Sequence, residues 1–383
     1  MIYFDNSATT KPYDDVLEAF LTMSKKYFAN PSSLHDFGGK VETIINHARK
    51  QISQLLHVKE SEIYFTSGGT ESNNLAIKGA AFSYKKRGNH IITTKIEHSS
   101  VMEAFEQLRQ AGFKVTYLPV NKDGQINIED LHAAITDDTI LVSIMHVNNE
   151  VGFIQPIERI GKMLSEYSKI LFHVDGVQAC GKIPLDLKAA HVDLWTASAH
   201  KFHGLKGSGL LYIRDGVQLS PLLSGGGQES NVRSGTENTA GIVAMAKALR
   251  LTEKMRQQKM ENMIEIRNYL IRQLKLIPNI ITHTPSENAA PHIVHFSACG
   301  HRGEVIVHAL EKENIYVSTT SACSSKEQVA SRTLKAIGVN DEMSKGAIRV
   351  SLSYENTMTE AKHFIDTLRH VLKNLHAVRR KGK

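Results

Sequence analysis

The stretch Lys169-Ile-Leu-Phe-His173-Val-Asp175-Gly-Val-Gln178 decides the fold. An apolar run this short and uniform reads as a strand with both faces buried, the kind a parallel sheet uses. It ends on Asp175, and open α/β sheets bind ligands at the carboxyl ends of their strands. An aspartate there can face a protonated ring nitrogen or cap the next helix. Gln178, three residues on, can reach a substituent of the same ring. Working outward, similar β-rich runs fall at 63–65, 90–94, 115–118, 140–146 and 209–213, with helical patterns between them. Within 41–58, Val41, Ile44, Ile45, Ala48, Ile52, Leu55 and Leu56 repeat at helical spacing. Strands alternating with helices predict an α/β fold with a largely parallel sheet covered on both faces. After about Asn238 the pattern becomes one long helical stretch reaching Leu276. A smaller α/β region follows, with strands at 293–297 and 347–353, a helix at 304–313, a Ser/Thr-rich segment at 318–325 and a closing helix from Thr359.

Composition narrows the classes. Of 383 residues, 41% are hydrophobic and 22% charged, as in globular chains. That length suggests about two or three domains. No apolar run reaches the roughly 18 residues of a spanning helix, so no membrane is expected. The opening Met1-Ile2-Tyr3-Phe4-Asp5 lacks a basic region followed by an apolar run, so no secretory signal is expected. Cys180, Cys299 and Cys323 are too few and too scattered for a disulfide framework, and no Cys-x-x-Cys suggests structural zinc. A reducing, cytoplasmic compartment is the default. The net charge of +7 is partly carried by Arg379, Arg380, Lys381 and Lys383. Such a tail suits solvation or an acidic partner. No nucleic-acid-binding motif accompanies it, so direct nucleic-acid contact is not expected.

Several further segments carry chemistry. Thr196-Ala-Ser198-Ala-His200-Lys201-Phe-His-Gly204 sets one lysine amid small residues. A lysine that forms a Schiff base must lose its proton easily, which takes partial burial and a nearby positive charge. Ser198 and His200 can donate to a phosphate. Thr66-Ser-Gly-Gly69-Thr70-Glu-Ser-Asn opens a helix at 75–82, and glycines before a helix let backbone amides approach a phosphate. The loop lacks the Gly-Lys-Ser/Thr ending of a nucleotide P-loop. Arg233-Ser-Gly-Thr236 is a related polar turn before the long helix. Glu97-His98-Ser-Ser follows a strand, where a histidine can stack on a flat cofactor, move protons, or simply cap a helix. Asn148-Asn149 follows the 140–146 run and suits a substrate carboxylate or an ordinary turn. Ser321-Ala-Cys323-Ser-Ser-Lys places a lone thiol among small polar residues, unlike Cys180 and Cys299 with their apolar neighbours. Arg349, on the 347–353 strand, can grip a carboxylate bidentately or form a surface ion pair.

In this order and spacing the segments resemble the NifS/IscS cysteine desulfurases, in the class V aminotransferase superfamily of fold type I. The likeness extends over nearly the whole chain, from Tyr3-Phe-Asp-Asn-Ser-Ala-Thr-Thr10 through Asn30-Pro-Ser-Ser-Leu-His35 to the Arg349 strand. It implies an α/β fold: a large domain at 14–255 with a mainly parallel seven-stranded sheet, and a smaller C-terminal α/β domain at 256–383 joined by 1–13. The small domain would carry a mobile catalytic loop at about 318–333. The resemblance also implies pyridoxal 5'-phosphate held on Lys201, with Asp175 on the ring nitrogen, Gln178 on the ring hydroxyl and His98 stacked. Gly69, Thr70, Ser198 and His200 would bind the phosphate, with Thr236 from the second subunit of a homodimer. Asn149, near the cofactor, and Arg349 would hold the carboxylate of L-cysteine, and Cys323 would be the nucleophile. A persulfide on Cys323 would pass to an iron–sulfur scaffold or a tRNA-thiolation enzyme. Ala199 for Gly, Gly176 for Ala and Leu205 for Pro depart from the usual pattern without removing a functional group. The competing reading is a selenocysteine lyase or another class V lyase or aminotransferase, and a transaminase would not need the thiol. No metal is expected.

Overall fold

A computed structural model of the chain describes residues 1–285, 287–319 and 331–381, the last six by backbone alone. Among the described residues, seven strands form one sheet in the order Ile63–Thr66, Gly209–Ile213, Leu194–Ser198, Leu171–Asp175, Thr139–Met145, His90–Thr94, Lys114–Leu118. Gly209–Ile213 runs antiparallel to both neighbours and the other pairs are parallel. The four central strands Leu171–Asp175, Leu194–Ser198, Thr139–Met145 and His90–Thr94 are buried at every residue, as their apolar composition requires of a sheet covered on both faces. The fold class expected from the sequence is the one observed.

Leu194–Ser198 is not among the expected strands, because Leu-Trp-Thr-Ala-Ser is neither uniformly apolar nor strictly alternating. It is a strand because it is hydrogen-bonded on both edges, with Val174 beside Trp195 on one side and Tyr212 on the other. One face of the sheet is covered by the helix Gly69–Tyr84, which packs on the strands ending at Asp175, Ser198 and Met145. That helix begins six residues before its predicted start at 75.

A second apolar core lies apart from the first. It gathers Ile2 and Phe4, the three-stranded antiparallel sheet Ile280–Thr282, Ile293–Ala298 and Ala347–Ser351, and the closing helix Met358–Lys381. Ile2–Tyr3 pairs in parallel with Ile315–Tyr316. The helix Thr239–Lys275 joins the two cores. Ile242, Met245 and Leu249 at its start belong to the large-sheet core; Met263, Ile266, Leu270 and Leu274 at its end belong to the second. Among the described residues no helix is long and apolar enough to cross a membrane.

Candidate active site

Four parallel strands deliver polar residues at their carboxyl ends, and a cavity of about 500 Å³ opens there. Its walls bring together Gly69, Thr70, His98, Asn149, Asp175, Gln178, Ser198, His200, Lys201 and Arg349. Thr236 is exposed and does not line this cavity. Cys323, with the rest of 320–330, lies outside the described residues.

The loop before the helix Gly69–Tyr84 is built for close approach. Gly68, its N-cap, has φ +153, which excludes a side chain. A Cβ at Gly69 would meet Val177 Cγ2 at 2.9 Å and Ser198 Cβ at 3.4 Å. The helix N-terminus therefore stands bare beside Ser198 with its amide dipoles pointing into the cavity, an arrangement suited to a phosphate.

Asp175 is 4% exposed and held on both oxygens, Oδ1 by the amide of Val177 at 3.0 Å and Oδ2 by Asn73 Nδ2 at 2.8 Å. The bond from Val177 closes a turn, and no helix follows before Leu194–Ser198, so the alternative role as a helix cap is not found; the carboxyl lines the cavity. Asn73 also donates to Ser100 Oγ at 2.9 Å, and Ser100 Oγ lies 2.9 Å from His98 Nδ1. Nδ1 of His98 accepts from the Ser100 amide, which caps the helix Ser99–Gln110 and leaves the ring proton on Nε2. Burial, outweighing Asp175 and assisted by Lys201, holds His98 below the usual histidine range, so the ring is neutral at pH 7.

Lys201 Nζ donates to the carbonyls of Ser7 at 2.6 Å and Ala8 at 2.7 Å. Gln178 Nε2 donates to the same Ser7 carbonyl at 3.0 Å, while its Oε1 is buried without a protein partner. His200 Nδ1 lies 3.2 Å from Thr9 Oγ1, and burial together with Lys201, Lys206 and Lys182 pushes it down to about 4. Arg349 is 7% exposed, so the ion pair it forms, with Asp5, is largely buried rather than at the surface. It donates to Asp5 Oδ1 at 2.9 Å and to the carbonyl of Asn149 at 2.9 Å, and its Nε is buried without a partner. Asn148 turns the other way. Its Oδ1 accepts from the amides of Glu150 and Val151, so only Asn149 of the pair faces the site.

These residues fit pyridoxal phosphate. A carboxylate, an unsatisfied amide oxygen, a bare helix N-terminus beside a serine, and a lysine all line the one cavity. Sequence reasoning missed Asn73, the Ser7 and Ala8 carbonyls, Glu150 and Glu97. Glu150 accepts from Ser331 Oγ and is raised by burial against the influence of Ser331, Arg349 and Thr333. Glu97 is 7% exposed, and burial pushes its carboxyl up to about 8. The thiol of Cys180 is pushed up to about 12 by burial, as an inert cysteine should be. Gly176, the departure from Ala, has its reason in Trp195: a Cβ there would lie 2.0 Å from the indole Nε1. Among the described residues no group of three or more His, Cys, Asp or Glu could hold a metal.

Residues 2–364 match the aminotransferase class-V family. The chain belongs to that family of enzymes, in its NifS/IscS group. A "NifS/IcsS protein homolog" of Lactobacillus delbrueckii subsp. bulgaricus is 47% identical over 100% of both chains. "Cysteine desulfurase IscS" of Dictyoglomus turgidum is 44% identical over 98% of this chain and 96% of its own. Among solved structures, a "NifS-like protein" superposes with a TM-score of 0.92 at 39% identity, covering 97% of this chain and 99% of that one. "SspA in complex with cysteine" does so with 0.82 at 34%, covering 92% and 99%.

Proposed function

We propose that the protein is a pyridoxal-phosphate-dependent cysteine desulfurase, taking sulfur from L-cysteine and releasing L-alanine. The observation that carries this reading is the convergence of Lys201, Asp175, His98 and Arg349 on one cavity. Full-length similarity to proteins named cysteine desulfurase supports it.

When bound, the cofactor withdraws electrons from the α-carbon of an amino acid joined to it. Lys201 would hold it and Asp175 would keep its ring nitrogen charged. Gly69, Thr70, Ser198 and His200 would hold its phosphate, with Thr236 supplied by a second copy in a homodimer. Arg349 and Asn149 would fix the substrate carboxylate, the arginine exchanging part of its hold on Asp5 for it. Lys201 Nζ and His98 Nε2 would move the α-proton. Cys323 would attack the substrate sulfur as a thiolate and keep it as a persulfide for an acceptor, an iron–sulfur scaffold or a tRNA-thiolation enzyme. The division we infer, 14–255 against 1–13 with 256–383, rests on the two apolar cores. On this division residue 323 belongs to the small unit by its position in the chain, and the enzyme would work in the reducing cytoplasm.

The test is alanine and sulfide release from cysteine, run beside selenocysteine. Cys323→Ala is expected to keep the visible absorbance of bound cofactor and lose sulfide release. Full desulfurase activity in that variant ends the reading.

A further inference from the structure

Behind the active lysine lies a second lysine. Lys182 is 5% exposed, and its Nζ donates to the backbone carbonyl of Lys201 at 2.8 Å. The turn that carries it is pinned from the second core by Tyr354, whose hydroxyl donates to the carbonyl of Gly181 at 2.8 Å. The elements around the ammonium present neutral or cationic groups, apart from the carboxylate Glu253 on the long helix. Its own turn supplies the buried thiol of Cys180. The segment of Lys201 supplies His200 and His203, both pushed down to about 4, burial being the main cause. The strand Ile293–Ala298 is preceded by His292, wholly buried and held well below its usual range by burial, Lys182 and Arg349. From the long helix, Glu253 acts on Cys180 but is ion-paired with Arg256 at 2.5 Å. Among the described residues no carboxylate lies within ion-pair distance of Lys182.

A buried cation with no counter-ion is costly. We propose that Lys182 is a positioning residue for Lys201: its ammonium fixes the carbonyl of residue 201, and its charge favours the uncharged form of the Lys201 nitrogen. This is the nearby positive charge that an amine-donating lysine needs. The inference rests on the reading of Lys201 as the lysine that holds the cofactor. Burial itself pushes Lys182 down to about 8, so its charge is present at neutral pH and fades above that value.

The size follows from the geometry. Lys182 Nζ touches the 201 backbone, and a lysine side chain extends from it by several ångströms. At a charge separation on the order of 8 Å and an effective dielectric of about 20, the proton equilibrium shifts by roughly thirtyfold, about 1.5 pH units. The experiment titrates the visible absorbance of bound pyridoxal phosphate against pH in the wild-type holoenzyme and in K182M, K182Q and K182R. K182M and K182Q are expected to titrate about 1.5 pH units higher and K182R at the wild-type pH. Gln retains a donor for the carbonyl without the charge, so agreement of K182Q with K182M assigns the effect to charge. Two results overturn the proposal: either charge-free variant binding cofactor and titrating at the wild-type pH, or K182R titrating away from it. The second holds even where neither charge-free variant folds. A wild-type protein that binds no cofactor, or a K201A variant with the wild-type spectrum, instead refutes the underlying assignment of Lys201.

Discussion

Replacing Glu97 by Gln should stabilise the protein, and increasingly so as the pH rises. Oε1 of Glu97 accepts from the Thr94 hydroxyl at 2.7 Å and the Met145 amide at 3.0 Å, and Oε2 is buried with no partner. Burial raises the carboxyl from 4.5 to about 8; the two hydrogen bonds oppose this, and the charge of Asp175 adds to it. Below pH 4.5 folded and unfolded chains both carry the proton, so the residue contributes no pH dependence. Between 4.5 and about 8 the unfolded chain has lost a proton that the folded chain keeps. Over this window stability falls by about 1.36 kcal/mol per pH unit, and above it the loss levels off at about 5 kcal/mol. Gln keeps the Oε1 acceptor and cannot ionise, so it escapes this loss. Near the midpoint the unfolding entropy of a chain this long is about 0.8 kcal/mol/K, which converts 5 kcal/mol into about 6 °C. The assay is the melting temperature of both proteins, cofactor-loaded, from pH 4.5 to 9. Effects of the cofactor common to both cancel in the difference. The expected difference, variant minus wild type, grows by about 6 °C up to pH 8 and then stays flat. A difference independent of pH refutes the reasoning, because it means that Glu97 titrates near 4.5 despite its burial.

Asn73→Ala removes the donors to Asp175 Oδ2 and Ser100 Oγ. A hydrogen bond to a charged acceptor contributes about 1.5–3 kcal/mol, so cofactor affinity measured by absorbance titration should fall tenfold or more; unchanged affinity removes Asn73 from the site. Arg349→Lys keeps the charge but loses the planar fork that spans Asp5 and the Asn149 carbonyl. KM for cysteine should rise at least tenfold while cofactor absorbance persists, and an unchanged KM argues against a carboxylate-binding role. Gly176→Ala should lower the melting temperature by overpacking against Trp195, at about 1–3 kcal/mol, and Trp195→Met in the same chain should recover most of the loss. No recovery in that double variant means the strain lies elsewhere.

Much of this was legible in the sequence because the sheet is buried on both faces. The strands His90–Thr94 and Gly209–Ile213 have the bounds expected from the sequence. The chemistry was legible for a related reason. A polar residue at the end of a buried strand, such as Asp175, or in the turn beyond one, such as His98 after His90–Thr94, faces the strands' carboxyl ends. What escaped depends on tertiary burial. The first turns of the helix Gly69–Tyr84 read as a loop, since Gly, Ser and Asn are poor helix formers. Burial of Ser72 and Asn73 against Thr66, Ser100 and Asp175 overrides that preference. Glu97 and Lys182 escaped because spacing records which residues are near in sequence and says nothing of which charges are left without a counter-ion. The Ser7 and Ala8 carbonyls escaped because they are backbone, which no side-chain pattern reports.

Those carbonyls explain how two separately packed cores can hold one substrate. Ile2 and Phe4 are buried in the second core, and Asp5 binds Arg349 on that core's own sheet. Asn6 Nδ2 donates to the Ser351 carbonyl, and the Ser7 amide donates to Ser351 Oγ. The next two carbonyls, of Ser7 and Ala8, receive Lys201 from the large sheet, and Thr10 Oγ1 donates to the carbonyl of His200. Within ten residues the chain therefore passes from the arginine assigned to the substrate to the lysine assigned to the cofactor. It is hydrogen-bonded to both sheets along the way. Under the proposed roles, substrate grip and the lysine share one short turn-containing segment whose own side chains supply little of the chemistry.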